Sequence, residues 1–132
     1  MNHENLSIVK YSQLDFGRLE LRSDDILCWN PSDGKTTISL EELKLFRDAA
    51  CELADGEPKL FLSNNKKLDS LGYTERKFIG DNLHQFAKAS AIIENSAVIR
   101  FIGHTIQGLF PPKVPMKMFS SETQVLKWLK SF

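Results

Sequence analysis

The side chains best able to do chemistry are dispersed along the chain. His3, His84 and His104 stand far apart and make no HExxH or comparable spacing, so they offer no zinc-ligand set. Cys28 and Cys51 have no CxxC spacing and no histidine close by in sequence, which reads as two core thiols of a reducing compartment. The acidic pairs Asp24-Asp25 and Glu41-Glu42 have the residue type for proton transfer, but the first suits a turn and the second heads a capped helix. No GxSxG, P-loop or GxGxxG is present, and Gly17, Gly34 and Gly56 fall at turns or helix ends. The stretch Asp69-Ser70-Leu71-Gly72, followed by Thr74, supplies hydroxyls in a setting that turns and helix caps favour. These patterns describe a non-enzymatic protein, with no metal and no organic cofactor expected.

Composition narrows the possible partners. The chain has 132 residues, 42% apolar and 26% charged, which is globular composition and most simply one domain. A chain of this size can bury roughly two thirds of its unfolded surface without disulfides or metal. Seventeen Lys and Arg balance seventeen Asp and Glu, so no net field favours nucleic acid, and Lys66-Lys67 is too short for a nucleic-acid footprint. The beginning, MNHENLSIVK, lacks the cationic start and apolar run of a signal peptide. No apolar stretch approaches the ~20 residues of a membrane span, and the expected location is the cytoplasm.

The elements that must position these residues follow from periodicity. Leu6 to Tyr11 reads as an extra edge strand or a loosely held arm, within a segment 1–16 set apart from a main domain 17–132. In Gly17 to Trp29, Leu19 and Leu21 alternate with charged residues, and Ser23-Asp24-Asp25 supplies a turn before Ile26 to Trp29, which predicts a β-hairpin. Ser39 and Glu42 form a capping-box pattern ahead of Leu40, Leu43, Phe46, Ala50 and Leu53, so residues 40–54 should be helical. Lys59 to Ser63 predicts a buried strand. Thr74 then caps a second helix with Ile79, Leu83 and Phe86 on one face.

Ala89 to Ile93 predicts another central strand. Ser96 caps a third helix with Ile99, Ile102, Ile106 and Leu109 on one face, stopped by Pro111-Pro112. Pro115 to Phe119 predicts a last strand, and Ser121 with Gln124 a capping box for a terminal helix. Leu126 and Leu129, with either Trp128 or Phe132, should hold that helix against the sheet. The resulting order, a hairpin followed by α-β-α-β-α-β-α, favours an α/β fold with a mixed or mostly parallel sheet. The third helix carries more apolar residues than one sheet-facing stripe needs: Val98, Ile99, Phe101, Ile102, Ile106, Leu109 and Phe110. Three uses stay open, namely covering a neighbouring subunit, lining an apolar cavity, or sitting beneath the terminal helix. His104, with Arg100 four residues earlier, could border such a pocket.

The terminal segment, SAVIRFIGHTIQGLFPPKVPMKMFSSETQVLKWLKSF, resembles that of the STAS-like domains of SpoIIAA-like proteins, especially small stand-alone bacterial proteins of the Bacteroidetes type. It keeps Gly103, Lys113, Val114, Pro115, Lys117, Phe119, Leu126, Trp128 and Leu129 of that pattern over about 37 residues. Upstream, TISLEELKLFRDAACELADGEPKLFLS resembles the family's first helix and following strand, and TERK the start of its second helix. The likeness covers residues 17–132. His104 stands where the family has Asn, Val125 where Ala is common, and the loop Asn64 to Gly72 departs from the usual pattern.

The resemblance implies a STAS-like sheet with helices mainly on one face, and no general metal or cofactor. It also implies two kinds of function. In anti-sigma-factor antagonists such a domain binds a partner kinase and is switched by phosphorylation at a helix amino terminus. Asp69-Ser70-Leu71-Gly72 resembles their Asp-Ser-x-Gly phosphoacceptor motif, which makes Ser70, and next Thr74, the candidate phosphoacceptors. In related CRAL-TRIO lipid-exchange domains a similar architecture holds an apolar ligand. The sequence therefore points to a regulatory domain acting through protein contact or self-association, with carriage of an apolar molecule as the alternative. Phe101, Ile102, His104 and Phe110 are the candidate partner or ligand surface.

Overall fold

The computed structural model describes residues 6–65 and 67–132, so the sequence readings at His3 and Lys66 lie outside the described residues. The chain runs β1 (Ile8–Leu14), β2 (Gly17–Arg22), β3 (Ile26–Pro31), α1 (Leu40–Ala54), β4 (Lys59–Asn64), α2 (Tyr73–Asn82), a 3-10 turn (Leu83–Gln85), β5 (Ala87–Ile93), α3 (Ala97–Leu109), β6 (Met116–Phe119) and α4 (Glu122–Leu129). The strands form one six-stranded sheet, ordered β1 to β6 as in the sequence. β1–β2 and β2–β3 pair antiparallel, whereas β3–β4, β4–β5 and β5–β6 pair parallel. This is the expected mixed sheet with an amino-terminal hairpin. Ile8–Leu14 forms the edge strand β1, which joins β2 through Asp15-Phe16, and Phe16 is buried in the core.

A strand order that never reverses, combined with the right-handedness of parallel crossovers, puts every connecting helix on the same side. α1, α2 and α3 accordingly share one face, where Leu19, Leu27, Trp29 and Phe61 meet Ala50, Leu53, Leu83 and Ile106. No strand follows α4 among the described residues, so it is free to cover the other face. There Ile26, Cys28, Leu62, Ala89 and Ala91 meet Val125, Leu126 and Leu129. α3 therefore does not sit beneath α4, which rules out one of the three uses open for its surplus apolar residues. The anchors of α4 also need correcting. Val125 and Leu129 are fully buried, while Trp128 is half-buried between Phe119 at 5.6 Å and Phe132 at 4.9 Å, and Phe132 is exposed.

Local chemistry sets the helix ends. Ser39 Oγ accepts from the Glu42 N–H at 3.1 Å and Glu42 Oε1 from the Ser39 N–H at 3.0 Å, so the α1 capping box is complete. α1 stops where Asp55 turns left-handed at φ 53°. At α4 the box is half formed. Ser121 Oγ accepts from the Gln124 N–H at 3.3 Å, but the Gln124 side chain pairs with Ser120 Oγ at 3.2 Å instead of returning. α2 ends earlier than its apolar spacing suggested: the Asn82 amide donates to the Phe78 carbonyl at 2.8 Å, and the chain tightens into the 3-10 turn that delivers Leu83 and Phe86 to the core.

Candidate functional site

The loop between β4 and α2 is tied down where it enters α2. The Asp69 and Ser70 N–H groups both donate to the Thr36 carbonyl, at 2.9 and 3.4 Å, and Leu71 is buried. These ties place Gly72, not Thr74, at the cap position of α2, and no side chain caps the helix there. Thr74 is instead the second residue of the helix, so its expected capping role is lost. The Glu75 carboxylate folds back over Gly72, into the space a side chain at that position would need. Ser70 and Thr74 are both exposed. Arg76 bridges outward from this point, donating to the Gly72 carbonyl at 3.3 Å and to Thr105 Oγ1 on α3 at 3.1 Å.

α3 presents two adjacent stripes. Ser96 Oγ caps it by accepting from the Ile99 N–H at 3.3 Å, which fixes its rotation over the sheet. Ile99, Ile102 and Ile106 then face the core. Val98, Phe101, Thr105 and Leu109, spaced three and four apart, form the neighbouring stripe toward α2. Within it Phe101 is 63% exposed and Leu109 61%. Leu109 was expected in the core stripe; at the helix end Phe110 takes the inward position, half-buried, with its ring 5.0 Å from that of Tyr73. Phe110 also lies against Gly80, whose missing side chain lets the two helices approach. Tyr73 itself is 60% exposed, next to the Ser70 loop.

Between the sheet and its three helices lies an apolar cavity of about 100 Å³, lined by Trp29, Phe46, Phe61, Phe86, Ile102 and Ile106 among others. An engineered cavity that accepts benzene measures about 150 Å³, and this space is about two thirds of that. Of the four residues expected to form a partner or ligand surface, only Ile102 lines it. Phe101 and His104 face outward, and Phe110 belongs to the Tyr73 contact. Arg100 pairs with Glu94 at 3.5 Å rather than bordering the cavity.

The opposite face carries the remaining reactive group. Cys28 is buried beside Arg22, and burial pushes its thiol up to about 11 despite the nearby guanidinium. Burial also raises the Cys51 thiol. Both remain protonated near neutral pH and are poor nucleophiles. Arg22 is engaged by Asp24 and, at 3.5 Å, by Glu122 of α4.

Sequence reading found the loop and α3 but missed how they meet. Tyr73 and Arg76 gave no periodic signal, and only the α2–α3 contact brings them beside Thr105 and Phe110. A mixed sheet of this order, with three helices on one face and a fourth on the other, defines a SpoIIAA-like fold. It is similar to the crystal structure of an uncharacterized protein of the DUF3478 family with a SpoIIAA-like fold from Shewanella loihica PV-4. That comparison has a TM-score of 0.58 at 15% identity, over 94% of this chain and 93% of that one. The chain belongs to the family described as Domain of unknown function (DUF7793), whose profile matches residues 19–132. No curated protein matches it.

Proposed function

We propose that this protein is a non-enzymatic regulatory domain of the cytoplasm that binds a protein partner through the surface shared by α2 and α3, and that phosphorylation at Ser70 or Thr74 switches that binding. The observation that carries this reading is the exposed stripe of Val98, Phe101 and Leu109, continued by Tyr73 at the start of α2. Solvent-facing aromatic side chains clustered on one surface cost solubility and suit a docking partner. Both hydroxyls border the same surface. A phosphate there adds about −1.5 to −2 charges. It would repel the Glu75 carboxylate folded over Gly72 and compete for Arg76, which links α2 to α3.

A photo-crosslinking residue at position 101, introduced in the native cell, tests the surface. The expected result is one dominant protein adduct that Leu109→Glu abolishes and Ser70→Asp alters. The same adducts from a crosslinker at the exposed Lys88, on a different element, would sink the docking surface. Native protein that never carries phosphate at Ser70 or Thr74 would sink the switch.

The apolar cavity supports a second reading, carriage of an apolar small molecule after the three helices part. Native mass spectrometry of protein from its own cells should then show an organic adduct that Ile102→Trp removes. Repeated preparations without adduct would end that reading.

A further inference from the structure

The two edges of the sheet are built differently. β6 is four residues long, follows Pro115 and carries Lys117, all devices that discourage edge-to-edge pairing. β1 has seven residues, no proline and a single charge at Lys10. Ile8, Val9 and Tyr11 are 48, 59 and 59% exposed, and among the described residues no strand pairs with the outer edge of β1. Alternate residues of an antiparallel strand turn their N–H and C=O groups away from the inner neighbour, so β1 offers an open row of donors and acceptors.

We propose that a second copy of this chain pairs along β1, antiparallel about a two-fold axis, joining two sheets into one. A register centred on Tyr11 sets Tyr11 against its own counterpart, Lys10 against Ser12, Val9 against Gln13 and Ile8 against Leu14. The only charge of the strand then meets a hydroxyl rather than a like charge, and the facing tyrosines make a favourable aromatic pair. Arg18, stacked on the Tyr11 ring at 4.0 Å, is already neutralised by Glu20 at 3.2 Å. The register shift between Ile8 and Lys10 falls at both ends of the two-fold pairing, so its regular centre is Lys10 to Ser12 and the flanking Val9–Gln13 and Ile8–Leu14 pairs are weaker. A formal net charge of zero adds no long-range repulsion between copies. One strand edge buries less than the ~1,200 Å² of a standard interface, so the dimer is weak and concentration-dependent. This pairing uses the sheet edge and is independent of the α2–α3 docking surface.

Sedimentation equilibrium over a concentration series tests it, with circular dichroism to confirm that each variant folds. The mass should rise from 15.0 kDa toward twice that value. Tyr11→Lys, which sets like charges opposite each other, should weaken the dimer about tenfold. At position 12 the register predicts opposite signs: Ser12→Lys faces Lys10 of the second copy and weakens the dimer, whereas Ser12→Asp tightens it. A folded monomer at millimolar concentration, or a dimer indifferent to all three variants, would overturn the proposal.

Discussion

On the three-helix face Trp29 and Phe61 of the sheet meet Phe46 of α1 and Phe16 and Phe86 of the connecting turns in a chain of ring contacts from 4.9 to 5.9 Å. On the α4 face it presents aliphatic and small side chains, Ile26, Cys28, Leu62, Ala89, Ala91 and Ile93, with Val125 and Leu129 fully buried against them. The difference follows from the shape of the cover. Three helices arch over one face, and rigid rings span the distance at the cost of a cavity of about 100 Å³. A single helix of eight residues, roughly 12 Å long, contributes enough buried area only if it lies close to the strands, and small residues beneath allow that. Contact is close where α4 lies over Ala89 and Ala91, and the slack of that face sits to one side, in a more polar pocket of about 130 Å³ lined by Arg22, Cys28, Leu62, Ile93 and Glu122.

The comparison breaks most visibly by removing the smaller cover. Deleting residues 121–132 uncovers Ile26, Leu62, Ala91 and Ile93 together, and urea unfolding should lose its cooperative transition; a retained sharp transition would mean that α4 is dispensable. Next in size is an alkaline effect at Cys28 on the α4 face. The Cys28 thiol titrates near 9.0 when exposed and near 11 when folded, so its contribution is complete below pH 9 and is lost as pH rises through the folded value. A rise of that size corresponds to about 3 kcal/mol above both values. Stability should therefore fall more steeply with pH between 9.0 and 11 in the native protein than in Cys28→Ala. Equal slopes would show that the thiol is solvated.

Adjacent residues of β5 then sharpen the contrast, because Ser90 faces the cavity and Ala91 faces α4. Ser90→Val should fill space and raise stability by about 1 kcal/mol, while Ala91→Val should cost ~1–3 kcal/mol by overpacking. Denaturant midpoints read both, and a common sign would erase the distinction drawn between the faces. The smallest effects concern caps on the three-helix side. Ser39→Ala should cost about 1 kcal/mol, and Thr74→Ala less than ~0.5 kcal/mol because Thr74 lies inside its helix. Thermal unfolding of the two variants makes that comparison.

Much of the fold was legible because its signals are local. Ser39, Ser96 and Ser121 mark helix starts through hydrogen bonds spanning three residues, and alternating Leu19 and Leu21 mark a strand whose faces follow from the pleat. The start of α2 was misread for a reason of the opposite kind. Gly72 caps it because Thr36, over thirty residues earlier, holds the Asp69 and Ser70 backbone, and a Thr in the first turn gives no sign of that. The candidate site was half legible: Ser70 and Phe101 stood out by type, whereas Tyr73 and Arg76 gained meaning only from α3 packing beside α2.

By itself the sequence determined the order of elements, their caps and the apolar stripes, since each depends on residues a few positions apart. Strand order with right-handed crossovers then left α1, α2 and α3 no choice of side. Only the tertiary structure decided which residue of each stripe is inside. Val125 is buried where Trp128 was expected, because the Ala89 and Ala91 surface admits a small branched side chain in close contact, and the indole stacks at the rim against Phe119 instead.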